Sequence, residues 1–322
     1  MNIGIIGATG EVGKTVLTIL KKNNRYKNIY LSASKTTSIK NKNILRIEEL
    51  LEKDLQIVIF AAGSEVALKW APVFVKKNIK VIDNSSAWRM SKNVKLVVPE
   101  VNADILKKDD FIIANPNCST IQLVMILHPL QLNFGLKRVL VSTYQSVSGS
   151  GKDALNQLEK ESKNEEIKKY YPHKIHDNII PHIDVFLDNG YTKEETKIIN
   201  ETKKILSNKN LLISATAVRV PITKCHSESV MVELQNDSTK NEILKILQKS
   251  EGVIVANNDK LNNYPMPILA SDKDDVFVGR IREDVNLKNV FHLWVVSDNL
   301  RKGAATNTVQ IADYLIDNNL IF

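Results

Sequence analysis

Cysteine is nearly absent from this 322-residue chain, which holds only Cys118 and Cys225. Two thiols make no disulfide framework, so each must be explained singly, and a cytoplasmic, reducing location is expected. Long apolar runs are missing too. No stretch approaches the roughly 20 residues that cross a bilayer, so no membrane role is expected. The opening Met1-Asn2-Ile3-Gly4-Ile5-Ile6-Gly7 has neither a basic flank nor a small-residue cleavage site. It reads as a strand entering a glycine turn, not as a signal peptide. Dense basic blocks are also lacking. The 44 Lys+Arg against 36 Asp+Glu leave a net charge of +8, but the lysines are scattered, without aromatic interleaving. A nucleic-acid partner is therefore not expected. The excess suits a solvated surface whose positive field speeds the arrival of anionic ligands. There is no internal repeat, low-complexity tract or flexible linker, and no metal site is expected.

What is present divides in two. The length exceeds one ordinary core and is comfortable for two domains. Residues 2–115 alternate apolar strands with amphipathic helices, the strands predicted at 2–6, 29–33, 57–61, 79–82 and 111–114. Between the first two, Val12, Val16, Leu17, Ile19 and Leu20 fall on one helical face. Such alternation predicts a Rossmann-type doubly wound, mostly parallel sheet. After Cys118 long β-rich stretches appear at 138–144, 211–220, 229–234, 276–281 and 290–297, several alternating in period two. They predict an α+β domain on a mixed, largely antiparallel sheet. Helices are predicted at 152–169, 192–204 and 304–316.

Gly7-Ala8-Thr9-Gly10-Glu11-Val12-Gly13 lies between the first strand and the first helix. Glycines there let the chain turn tightly and bring backbone N–H groups to a pyrophosphate at the helix start. An NAD site wants an acid after the second strand, for the ribose 2′-hydroxyl. This chain has Ser34-Lys35-Thr36-Thr37-Ser38 instead. A cation among hydroxyls suits a 2′-phosphate, and NADP is the expected coenzyme.

Asn115-Pro116-Asn117-Cys118-Ser119-Thr120 precedes an apolar helical pattern at Ile121, Val124 and Met125. A cysteine at a helix N-terminus is favoured as thiolate, the form a nucleophile needs. Asn115 and Asn117 offer amides to an oxyanion or a phosphate. Cys225 competes, but neighbouring residues on a strand face opposite ways, so Cys225 and His226 are not expected to serve one site together. The loops 142–151, with Gln145, Ser148 and Gly149, and 298–305, with Asn299, are small-residue connections that let a backbone approach a ligand.

Taken in order, Gly7–Gly13, Asn84–Arg89, Asn115–Thr120, Ser142–Gly151, Arg219–Glu228 and Ser297–Ala305 resemble the motifs of aspartate-semialdehyde dehydrogenase and span nearly the whole chain. The resemblance implies a glyceraldehyde-3-phosphate-dehydrogenase-like architecture. An NADP-binding domain would cover 1–117 with the returning C-terminal helix 299–322, and a catalytic and dimerisation domain 118–298. It also implies a homodimer or homotetramer. By motif, Cys118 is the acyl-thioester nucleophile, His226 the acid/base and Gln145 the residue that orients substrate. Arg219 holds the substrate carboxylate, and Glu194, preferred over Glu195, meets the ammonium group. Arg89, Asn117 and Lys197 match phosphate positions. Gly7, Thr9, Gly10, Glu11, Val12, Gly13, Lys35, Thr36, Thr37, Ser148, Gly149 and Asn299 match cofactor positions. Cys225 stands where glycine or serine is more usual, Trp88 where phenylalanine is, and Lys35 where arginine is frequent. The implied reaction is reduction of L-aspartyl 4-phosphate to the 4-semialdehyde by NADPH, a step in the biosynthesis of lysine, methionine, threonine and isoleucine. Rival readings are an N-acetyl-γ-glutamyl-phosphate reductase and a non-catalytic NADP-binding protein.

Overall fold

The computed structural model describes residues 1–33, 44–257 and 261–321. Its chain divides into two compact units, 1–117 with 304–322, and 118–303. The expected coenzyme residues Lys35, Thr36 and Thr37 lie outside the described residues.

The first unit holds β1 (Asn2–Ile6), β2 (Asn28–Ser32), β3 (Ile44–Leu45), β4 (Ile57–Phe60), β5 (Lys80–Asp83), β6 (Lys95–Leu96) and β7 (Ile112–Ala114). They pair in the order β3-β2-β1-β4-β5-β7-β6, every pair parallel. Alternation along β1 explains the layering. Ile3 and Ile5 pack with Val16, Leu17 and Leu20 of the helix Glu11–Leu20 and with Val309, Ala312 and Leu315 of the helix Asn307–Asp317. Ile6 turns the other way, joining Val58, Phe60 and Phe74. Burial of each such side chain contributes about 1.5–3 kcal/mol. Because the strands are parallel, the segments after β1, β5 and β7 all leave the carboxyl end of the sheet, where doubly wound folds bind ligands. Those segments carry the glycine turn, Asn84–Arg89 and Asn115–Asn117.

The second unit holds β8 (Leu136–Gln145), β9 (Leu212–Arg219), β10 (His226–Leu234), β11 (Val253–Val255), β12 (Val276–Glu283) and β13 (Val290–Ser297). The order is β11-β12-β13-β10-β8-β9. Pairs β11–β12 and β8–β9 are parallel and the three between them antiparallel, the mixed sheet that the alternation predicts. The helix Cys118–Phe134 lies against this sheet and is buried on nearly every side, from Ser119 through Leu127.

Three short strands escape the sequence reading: Ile44–Leu45, Lys95–Leu96 and Val253–Val255. Two or three residues carry no measurable period. The helix predicted at 152–169 ends at Ser162, where Asn164 adopts a left-handed φ of 55°, a common helix stop. The last helix, predicted from 304, opens with a π-turn at Arg301–Thr306 before the α-helix Asn307–Asp317. Among the described residues no helix is long and apolar enough to cross a membrane.

Candidate active site

In the second unit one register row crosses four strands. Arg219 of β9 pairs with Gln145 of β8, Gln145 with His226 of β10, and His226 with Ser297 of β13. All four are buried. Strands far apart in sequence thus set three expected site residues side by side, at the strand spacing of about 4.8 Å.

His226 is wholly buried. Its Nδ1 accepts the backbone N–H of Ser146 at 3.0 Å, and the Ser146 hydroxyl lies 3.2 Å away. A backbone N–H can only donate, so Nδ1 is unprotonated and the neutral ring carries its proton on Nε2. Burial first, then the nearby Arg219 guanidinium, pushes the imidazole down to about 3. The ring is therefore neutral at ordinary pH. Nε2 has no hydrogen-bond partner among the described residues. It faces Gly149, where an added Cβ would stand 3.3 Å from both His226 Nε2 and Arg219 Nη1. Glycine keeps that approach open.

Arg219 donates through Nη1 to the Ser146 carbonyl at 2.6 Å, and its guanidinium carbon lies 5.9 Å from the centre of the Tyr171 ring. Its Nε, like His226 Nε2, is buried without a partner among the described residues. The orphan His226 Nε2 and the Nη1 end of Arg219, whose Nε is the second orphan, therefore flank Gly149. Leaving each orphan unmet costs about 1–3 kcal/mol, a cost that an anionic or carbonyl ligand would remove.

The helix Lys193–Ile205 separates the roles of two neighbouring acids. Glu195 completes a capping box, accepting from Thr192 N at 2.7 Å and from Ala217 N at 3.0 Å. Glu194, one position round the helix, accepts from Gln145 Nε2 at 3.0 Å and from Lys197 Nζ at 3.2 Å. Lys197 also donates to Asp184 at 2.7 Å. Of the two acids it is thus Glu194 that joins the register row. Nothing in the sequence signalled Asp184.

Cys118 is the first residue of its helix and is half-buried. Peptide dipoles at that end favour a negative sulfur. Gly303 packs against it, since a Cβ there would come 2.9 Å from Cys118 Cβ. Cys225 is a different thiol. It is fully buried, held at φ 70°, and its Sγ lies 3.3 Å from the Pro267 carbonyl oxygen. Burial pushes it up to about 12. That thiol stays protonated and inert.

Asn299, expected at the cofactor, acts here as a clasp. Its Oδ1 accepts from Cys225 N at 3.0 Å, Ser146 Oγ at 3.1 Å and Ser148 Oγ at 3.3 Å. Its Nδ2 donates to Ser148 Oγ at 3.0 Å. Asn299 and Ser148 thereby fix the loop that presents Ser146 to His226.

In the first unit the glycine turn has the shape a dinucleotide needs. Gly7 has φ 84°, and a Cβ there would meet Ala61 O at 2.3 Å; one on Gly13 would meet Gly7 O at the same distance. Gly10 is exposed and precedes a helix with no side-chain cap. The first-turn amides around Glu11 and Val12, beside Thr9, are thus left for a bound phosphate. Arg89 is 8% exposed and donates to Asn84 O at 2.8 Å. Asn117 is 7% exposed. The neighbouring Asn115 is already occupied, accepting from Asn307 at 2.8 Å.

The family models of the semialdehyde dehydrogenase NAD binding domain and dimerisation domain match residues 2–109 and 127–302. The aspartate-semialdehyde dehydrogenase of Aquifex aeolicus is 46% identical, with 99% of each chain covered. The chain belongs to the aspartate-semialdehyde dehydrogenase family. The Bacillus subtilis member is 44% identical over 100% of this chain and 99% of its own. Among solved structures, aspartate semialdehyde dehydrogenase II of Vibrio cholerae complexed with ASA has a TM-score of 0.91 at 38% identity, covering 98% of both chains. The Candida albicans enzyme with NADP has a TM-score of 0.80 at 25% identity, covering 99% of both. Family membership spans both units, the glycine turn as well as the register row.

Proposed function

We propose that this chain reduces L-aspartyl 4-phosphate to L-aspartate 4-semialdehyde, with NADPH as reductant and Cys118 as the covalent nucleophile. One observation carries the reading most directly. Gly149 is flanked by the orphan Nε2 of His226 and by Nη1 of Arg219, whose buried Nε is unmet among the described residues, in register with Gln145 and the Glu194 it holds. That set offers a donor fork for a carboxylate, a carboxylate for an ammonium group and a neutral donor for an oxyanion. An amino acid with a reactive side-chain carbonyl needs all three.

The Cys118 thiolate attacks the acyl carbon, the new C–S bond forms, and the C–O bond to phosphate breaks. This splits one hard transfer into two easier ones. His226 donates its Nε2 hydrogen to oxygen charge developing on the acyl carbon. It serves as a base only after Nδ1 leaves the Ser146 N–H, so proton traffic is coupled to that bond. Arg219 grips the α-carboxylate, Glu194 the ammonium group, and Gln145 holds Glu194 in place. Arg89 and Asn117 take the phosphate role, and Lys197 is assigned to it as well. NADPH, when bound, supplies the hydride. The chain's own contribution to its binding is the turn Gly7–Gly13, with Lys35, Thr36 and Thr37 for the 2′-phosphate and Ser148, Gly149 and Asn299 on the nicotinamide side.

A homodimer is the proposed assembly, supported by the match of 127–302 to a dimerisation domain. A nucleophilic thiol works only while reduced, which suits the cytoplasm. The test is phosphate-dependent reduction of NADP with aspartate semialdehyde, run beside the N-acetylglutamate analogue and beside NAD. Turnover with the aspartyl substrate and NADP is expected. Preference for the acetylated substrate would favour the rival reductase, which has no ammonium group for Glu194 to meet.

A further inference from the structure

Beneath the helix Cys118–Phe134 lies an acid that the reaction above does not use. Glu228 is wholly buried. It is the third residue of β10, two beyond His226, so both side chains share one sheet face. Its register partners are Thr143 on β8 and Val295 on β13. In the adjoining row the same face carries Gln145 and Ser297, so neither neighbouring strand offers a charge to Glu228 there. The overlying helix contains no Asp, Glu, Lys or Arg. Its titratable groups are Cys118 and His128, and on β10 the titratable neighbour is His226. From the helix Gln122 faces the carboxyl. Gln122 stands four residues after Cys118, on the same helical face.

Neither Glu228 oxygen meets a donor in good hydrogen-bond geometry among the described residues, and neither does Gln122 Nε2 meet an acceptor. An ionised carboxylate in that place would be a buried charge met, among the described residues, by nothing more than the neutral Gln122 amide, a cost proteins avoid by protonating the group. A neutral acid, by contrast, can donate its O–H to the Gln122 carboxamide oxygen. Burial pushes the group up to about 8, and Gln122 pulls it down only in part. A buried acid kept beside a reacting strand calls for a role, because an apolar residue would pack there at lower cost.

We propose that Glu228 is a positioning residue: as a neutral acid it ties β10, beside His226, to the helix turn that carries Cys118. The role rests on reading Cys118 and His226 as the reacting pair. Loss of its proton leaves a charge that drives Gln122 to reorient and loosens the helix start. The acid therefore sets an alkaline limit on the site.

Glu228→Ala and Glu228→Gln, assayed in the full-length protein, test this. Glu228→Ala should lower kcat by about tenfold to a hundredfold with KM nearly unmoved. Glu228→Gln, neutral at every pH, should restore kcat at pH 7 and hold it to pH 9, where the wild type declines. A second readout needs no substrate. Alkylation of Cys118 by iodoacetamide should show an inflection near pH 8 in the wild type that Glu228→Gln lacks. Identical pH profiles for wild type and Glu228→Gln would overturn the proposal, as would a Glu228→Ala variant that raises KM and leaves kcat alone. A wild type without turnover that keeps the alkylation difference would sink the functional reading and leave Glu228 standing.

Discussion

The backbone N–H of Ser146 donates to Nδ1 of His226 at 3.0 Å, and this one bond fixes which ring nitrogen faces the site. Asparagine can reproduce the Nδ1 acceptor with its Oδ1 but has nothing in place of Nε2. His226→Asn should therefore keep the Ser146 contact and lose the donor. The expected loss in kcat is about 10²–10⁴-fold, with alkylation of Cys118 retained. Steady-state kinetics beside iodoacetamide labelling reads both. A variant that keeps wild-type kcat would remove His226 from the chemistry.

The same residue ties stability to pH. His226 is held at about 3 in the fold, against about 6.5 for a free histidine. Below pH 6.5 the unfolded chain takes up a proton that the native chain refuses, so the unfolded state binds more protons. Stability then falls as pH drops from 6.5 toward 3, by up to about 1.4 kcal/mol per unit. Urea unfolding at pH 7.0 and 5.0 should show a smaller loss for His226→Asn than for the wild type. Equal losses would mean the ring is not held neutral.

The two thiols should behave oppositely. Cys118→Ala is expected to abolish turnover. Cys225→Ser should keep most of it, because that thiol is buried, protonated and turned toward Pro267. Cys225→Gly would relieve the left-handed φ of 70° but empty a packed site beside Ala270 and Val296. Its melting temperature reports which of the two effects wins. Turnover by Cys118→Ala would contradict the assignment.

Glu194 and Glu195 are adjacent in sequence and should separate in experiment. Glu195→Ala removes a capping box and a bond to Ala217 N, so it should cost about 1–3 kcal/mol of stability. Glu194→Gln should leave stability nearly untouched and raise KM for aspartate semialdehyde by about tenfold or more. Thermal melts and kinetics on both variants decide; a reversed pattern would exchange the roles.

Arg219 and Arg89 are assigned different ligands. Arg219→Lys keeps a charge and loses the planar fork, so KM for aspartate semialdehyde should rise with KM for phosphate unmoved. Arg89→Ala should raise KM for phosphate in the oxidative direction. Charge-assisted contacts predict shifts of about tenfold to a hundredfold. The same small change in every KM would remove both from the site.

Much of this was legible in residue order. The continuous apolar runs of β1 and β4, with helical spacing between strands, give a parallel sheet because strands covered on both faces must be apolar on both. The glycine turn was readable because only residues without a Cβ fit φ 84° at Gly7 or the 2.3 Å approach at Gly13. Cys118 stood out because the helix that follows it announces itself by spacing. Short edge strands such as Lys95–Leu96 did not, for want of a period.

The sequence by itself determined which chemical groups are available and the local geometry of those set by neighbours: the glycine turn, the helix beginning at Cys118, the capping box at Thr192. Only the tertiary structure decided which of them meet. Arg219, Gln145 and His226 share a row because three strands pair in one register, and a slip of a single residue would turn each side chain to the opposite face. Burial, likewise a property of the whole fold, leaves the His226 ring neutral, the Cys225 thiol inert and the Glu228 acid without a charged partner among the described residues. Nothing local to those residues sets their ionisation, because desolvation depends on what the rest of the chain packs around them.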